Sequence, residues 1–128
     1  MFYGKRSCGR RGRSCKEKDD KVRLLHVLES AELILEWVQG VEKEKFFADK
    51  MLQEAVIRRL EVIGEVVKNV SDQLKKKYPE VPWREIAGMR DILIHEYFGV
   101  DLEEVWETAT RDIPEVVNQI NVIAHGLG

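Results

Sequence analysis

Apolar residues recur along this chain at steps of three and four, the period of a helix that buries one face. Leu24, Leu28, Ala31, Leu35 and Val38 form one row, with Val27, Ile34 and Val41 beside it. They predict a helix from Asp19 or Asp20, either of which can cap its start, to a stop at Gly40. A second pattern runs unbroken from about Lys45 to Val70, with Leu52, Val56, Leu60, Ile63, Val67 and Val70 on one stripe. It predicts a central helix, in which Gly64 costs roughly 1 kcal/mol relative to Ala and implies a closely approaching neighbour.

Ser71 opens a short polar helix, "SDQLKKKY", which Pro79 ends. Pro82 suits the first turn of the next helix, expected to run to Gly99. Asp101 then caps a last helix whose stripe is Leu102, Val105, Trp106, Ala109, Ile113, Val116, Ile120 and Ile123. Pro114 interrupts that stripe and predicts a kink or a restart, for which Asp112 is a ready cap and Glu115 stands at the capping-box position. With no alternating strand-like runs and short connections, the expectation is an all-α, up-and-down bundle of four to five helices.

The length of 128 residues suits one domain, and 44% apolar with 34% charged residues describes a charge-covered helical protein. No apolar run reaches the roughly 20 residues of a membrane span, so no membrane is expected. The net charge of −2 is unevenly spread. Residues 1–16, "MFYGKRSCGRRGRSCK", hold six basic residues and no acid, which leaves 15 Lys and Arg against 23 Asp and Glu beyond them, a net of −8. The first segment therefore reads as a basic, flexible extension, and 17–128 as the helical domain. An acidic domain argues against broad binding to duplex nucleic acid, so any RNA contact falls to a local basic cleft or to the extension. Cys8 and Cys15 lack a second Cys or His pair at zinc spacing, and a reduced, cytoplasmic location is the default.

The stretch "MRDILIHEYFGVD", Met89 to Asp101, carries more polar chemistry than packing requires. Ile92, Leu93, Ile94 and Phe98 suffice for a core face, yet Arg90, Asp91, His95 and Tyr97 fall among them. Asp91 and His95 lie one turn apart, and Arg90 aligns with Tyr97 to within about 20°. Arg90 and His95 are separated by about 140° on the wheel, so one site can hold both only through the reach of Arg90, a distorted helix or a second subunit. The set suits cleavage of an RNA phosphodiester without a metal. His95 can take a proton from a ribose 2′-hydroxyl or give one to the leaving 5′-oxygen. Arg90 can neutralise the charge that builds on the phosphate, Asp91 can orient the imidazole, and Tyr97 offers a phenol as donor or as an acceptor for modification. Spacing alone also fits a surface arginine, a capping acid and a histidine half-buried at a helix interface. His26 and His125 lie on other elements, so no metal cluster and no cofactor is expected.

Longer segments add to the motif. "DDKVRLLHVLESAELI", "RRLEVIGEVVKNV" and "YPEVPWREIAGMRDILIHEYFGVDLEEVWETATRDIP" resemble the HepT-like branch of the HEPN superfamily over about residues 17 to 124. The signature there is Arg90, Asp91, His95 and Tyr97, flanked by Pro82, Trp83, Gly99 and Asp101. The resemblance implies an all-α homodimer whose paired motifs line one cleft, and a toxin ribonuclease that needs no metal, with Arg90 and His95 catalytic and Asp91 supporting. It further implies a partner, a nucleotidyltransferase antitoxin that transfers AMP onto Tyr97 and so blocks the cleft with bulk and negative charge. A shared cleft would also reconcile the 140° separation. The alternative is a non-catalytic helical subunit that docks and positions a nucleotidyltransferase. "KKK" at Lys75 to Lys77 reads as a solvated face that could border an RNA path.

Overall fold

Four helical rods lie side by side in the computed structural model, which describes residues 12–95 and 101–127, with side chains placed in 19–89 and 101–127. The order is α1 (Gly12–Val38), α2 (Lys43–Ala48), α3 (Lys50–Lys68), α4 (Asp72–Lys77), α5 (Trp83–His95), α6 (Leu102–Glu107), a π turn (Thr108–Asp112) and α7 (Ile113–Gly126). α1 packs on α3 and α7, and α3 packs on α5. Contacts near both ends fix the directions. Asp20 bonds Ser71 and Arg59 bonds Ser30, so α1 and α3 are antiparallel. The end of α7 returns toward the α4–α5 loop, where a Cβ built on Gly126 would lie 3.8 Å from the Tyr78 hydroxyl. The result is the expected up-and-down, all-α bundle. Its core follows the predicted rows: Leu24, Val27, Ala31 and Ile34 of α1 meet Val56, Leu60, Ile63 and Val67 of α3 and Ile113, Ile120 and Ile123 of α7, all almost fully buried.

Three boundaries differ from the sequence reading, each for a physical reason. α1 already runs from Gly12, the first described residue, well before Asp19, and Asp20 is not a cap. It is 4% exposed, its Oδ1 accepts from the Ser71 backbone N–H at 2.9 Å, and its Oδ2 accepts from the Ser71 hydroxyl at 2.5 Å. A carboxylate this deep requires such donors. The hydroxyl in turn accepts from the Leu74 N–H at 3.2 Å, so one serine caps α4 as expected and latches α1 to the α3–α4 junction.

The expected Lys45–Val70 helix breaks at Asp49, whose side chain caps α3 by accepting from the Leu52 N–H at 3.1 Å. The break lets α2 turn and insert Phe46, fully buried, against Trp106, with ring centroids 5.1 Å apart. The Gln53 amide donates to the carbonyls of Phe46 and Phe47, satisfying the end of the short helix. Lys43 and Glu103 join α2 to α6 by an exposed ion pair, and that carboxylate raises the Lys43 pKa above its ordinary value.

At the C-terminal rod, Asp101 caps α6 as expected, accepting from the N–H groups of Glu103 and Glu104. Asp112 makes no cap hydrogen bond and has helical backbone angles. The chain instead widens to a π turn, in which the Ile113 N–H bonds Thr108 O, and carries Pro114 into α7 without a restart. One extra residue in the turn accommodates the missing proline donor, the usual role of a π-bulge. Gly40 ends the α1 connection with φ +73°, a left-handed conformation that glycine adopts without a Cβ penalty.

Candidate active site on the fifth helix

The start of α5 is the most firmly built part of the motif region. Val81 is buried and Trp83, almost fully buried, donates from Nε1 to Tyr78 O at 2.9 Å. Pro82, without an N–H of its own, stands just before the helix and accepts from the Ile86 N–H at 3.0 Å. Ile86 faces the core, and Ala87, Gly88 and Met89 are half-buried. Packing on α3 therefore fixes the axis along which the motif is displayed.

Arg90, Asp91 and His95 all fall on the α5 backbone. The helix brings Asp91 and His95 to one side at a spacing of one turn, and keeps Arg90 about 140° around from His95, with roughly 7.5 Å of axial rise between them. The side chains of these three residues, and Tyr97 altogether, lie outside the described residues. His26 is exposed on α1, and His125 on α7 has its Nδ1 2.9 Å from the Asn121 carbonyl of its own helix. The three histidines thus stand on three separate rods. Among the described residues no three His, Cys, Asp or Glu side chains group as a metal site. No helix among them is long and apolar enough to cross a membrane.

One side of α5 faces a cleft of about 480 Å³ that the linear pattern offers no means of finding. Its floor is Pro82, Ile86, Met89 and Val116, and its walls carry Glu80, Glu85, Glu104, Asp112 and Glu115. No basic side chain among the described residues lines it. The five acids come from the α4–α5 loop, α5, α6, the π turn and α7, so no single segment looks unusually acidic. Their summed field disfavours phosphate along this lining.

The remaining groups near the motif's far end are structural. Trp106 packs on Phe46, and Trp83 is anchored by its indole bond. Gly64 is buried within α3. A Cβ on Gly88 would meet nothing within 4 Å, so the α5 face at that position is open in the single chain.

Comparison with known proteins bears on the same stretch. The family model described as Ribonuclease HepT-like matches residues 27–123, a span that contains all of α5. A protein of Thermococcus cleftensis named "Probable ribonuclease HepT" is 47% identical over 100 residues, covering 78% of this chain and 91% of that protein. One of Caldanaerobacter subterraneus named "Putative RNase" is 48% identical over 100 residues, covering 78% and 89%. A third, from Methanocaldococcus jannaschii, carries the name "Gamma-glutamylcyclotransferase and putative RNase"; it is 50% identical over 103 residues, 80% of this chain, but the chain spans only 46% of that longer protein. No solved structure matches the chain. Family match and relatives agree with the all-α bundle: the chain belongs to the ribonuclease HepT-like family.

Proposed function

We propose that this protein is a metal-independent RNA endonuclease of a toxin–antitoxin pair, with Arg90 and His95 as its catalytic residues. The observation that carries the reading is the family match across residues 27–123, within which Arg90 and His95 stand on one helix at the motif spacing. In the proposed reaction a ribose 2′-oxygen attacks the adjacent phosphorus as His95 accepts its proton. The bond to the 5′-oxygen breaks, that oxygen takes a proton, and a 2′,3′-cyclic phosphate is left. Arg90 offsets the charge on the equatorial oxygens, and Asp91 holds the imidazole. Because the wheel sets Arg90 and His95 about 140° apart, the site is proposed to be shared by two copies in a homodimer.

Control is proposed to act on Tyr97. A cognate nucleotidyltransferase would direct the phenolic oxygen at the α-phosphorus of ATP, with pyrophosphate leaving and the phenol proton passing to solvent. The added adenylate carries negative charge into a cleft meant for phosphates, which closes it to RNA. The pair would work in the cytoplasm, on cellular RNA.

The acidic cleft beside α5 favours one competing reading, a non-catalytic subunit that positions a nucleotidyltransferase. Expression in a cell separates the two. The ribonuclease predicts slowed growth that is relieved by Arg90→Ala or His95→Ala, and by a co-expressed partner that adds AMP-sized mass to the Tyr97 peptide. Unimpaired growth with abundant folded wild-type protein would count against it.

A further inference from the structure

The bundle carries two regions of opposite charge that approach each other at the α4–α5 loop, where Glu80 of the cleft follows Lys77 of α4. Along α5, α6 and α7 runs the cleft with its five carboxylates, none of which makes an ion pair among the described residues. At the end where α4 lies, the balance reverses. Lys75, Lys76 and Lys77 form the last turn of α4, with Lys76 and Lys77 exposed and Lys75 half-buried. Lys68 is exposed in the last turn of α3, which leads into α4 through Ser71. None of these four lysines makes an ion pair among the described residues, and Lys77 Nζ lies 5.8 Å from the centre of the Tyr78 ring. Asp72 is the one carboxylate within α4.

The same end receives the start of α1. Asp20 is bonded to Ser71, so the first turns of α1 belong to the α4 end. None of this was needed for the core: α4 contributes one buried side chain, Leu74.

We propose that this end is an RNA-backbone site outside the catalytic cleft, and that bound RNA runs from the motif helix toward α4 on the side of α5 that the acidic cleft does not line. The inference rests on the ribonuclease reading. α5 begins beside α4 and carries its motif at the other end, so the lysine turn lies roughly 20 Å from His95 along the bundle. Phosphates close to the scissile bond are out of its reach. It grips the flanking strand, while repulsion from the cleft walls keeps that strand off the side of α5 that faces α6 and α7.

The test is binding of a fluorescein-labelled, mixed-sequence RNA of about 20 nucleotides, followed by anisotropy across a salt series. Removing three lysines that each neutralise a single-strand phosphate should lower the slope of log affinity against log salt by about 2. Lys75→Gln/Lys76→Gln/Lys77→Gln is therefore expected to bind at least about 10-fold more weakly at ~0.1 M salt. Lys76→Gln/Lys77→Gln, which alters only exposed positions, should show the same change in smaller measure and guards against misfolding. Arg111→Gln removes an exposed cation of the π turn, paired with Glu107, and should leave affinity within about twofold. Equal affinity and slope for wild type and both lysine variants overturns the proposal while leaving the ribonuclease reading intact. A drop in affinity for Arg111→Gln as large as for the lysine variants also overturns it, since only net charge would then matter. If the wild type neither binds nor cuts RNA, the ribonuclease reading fails and takes the inference with it.

Discussion

Removing the Asp20 carboxylate should loosen the bundle at the α4 end by an amount the structure allows to be worked out. Asp20→Ala deletes two hydrogen bonds to a charged acceptor, from the Ser71 N–H at 2.9 Å and the Ser71 hydroxyl at 2.5 Å. Bonds of this kind contribute about 1.5–3 kcal/mol each when buried. Ser71 is half-buried, so water recovers part of the loss, and a net cost of about 2–3 kcal/mol follows. Ser71→Ala keeps the backbone bond but loses the hydroxyl bond and the α4 cap on the Leu74 N–H, which is worth about 1 kcal/mol. Its cost should be about 2 kcal/mol. Because both changes remove the same hydroxyl–carboxylate bond, the double variant should fall short of additivity by about 1–1.5 kcal/mol. Urea unfolding followed by circular dichroism at fixed protein concentration measures all three, and fixed concentration matters if the unit is a dimer. In heat, Asp20→Ala corresponds to a fall in Tm of roughly 8–15 °C for a domain of this size. A loss below about 0.5 kcal/mol, or strict additivity, would refute the latch.

Other substitutions test neighbouring parts of the argument. Phe46→Ala should cost about 3–5 kcal/mol, because the ring is fully buried on Trp106, whereas Phe47→Ala, at 39% exposure, should cost under about 1.5 kcal/mol; thermal unfolding that fails to separate them would contradict the role assigned to α2. Gly88→Ala meets nothing within 4 Å and should stabilise α5 by about 0.5–1 kcal/mol, so a large loss of stability would show that a neighbour sits on this face. Lys43→Gln removes an exposed ion pair with Glu103 and should leave the unfolding midpoint nearly unchanged.

The rods were legible because burial leaves a periodic trace. Leu24, Val27, Ala31 and Ile34, or Ile113, Val116, Ile120 and Ile123, announce a helix and its inner face together. Caps that act within their own segment, Ser71 and Asp101, were legible for the same reason. What escaped depends on partners distant in sequence. The break at Asp49 is hidden by apolar residues on both sides, and is decided by Phe46 reaching Trp106, far along the chain on α6. Asp20 looked like a cap because a helix-start acid and a buried latch have the same local sequence; only Ser71, 51 residues on, tells them apart. The box at Asp112 and Glu115 was present but unused, since the π turn let α6 continue into α7. At the candidate site, sequence named Arg90, Asp91, His95 and Tyr97, and the fold supplies the axis on which the first three stand. The acidic cleft could not be read in advance because its walls come from separate segments.

The central claim is that Arg90 and His95 cut RNA by attack of the 2′-hydroxyl. The most direct measurement incubates the purified full-length chain with end-labelled RNA in excess chelator and identifies the new ends by mass. The account predicts cleavage with 2′,3′-cyclic phosphate ends, and a drop of about 10²-fold or more in His95→Ala with the helical spectrum retained. Cleavage undiminished in His95→Ala, or no cleavage by the folded wild type, would contradict it.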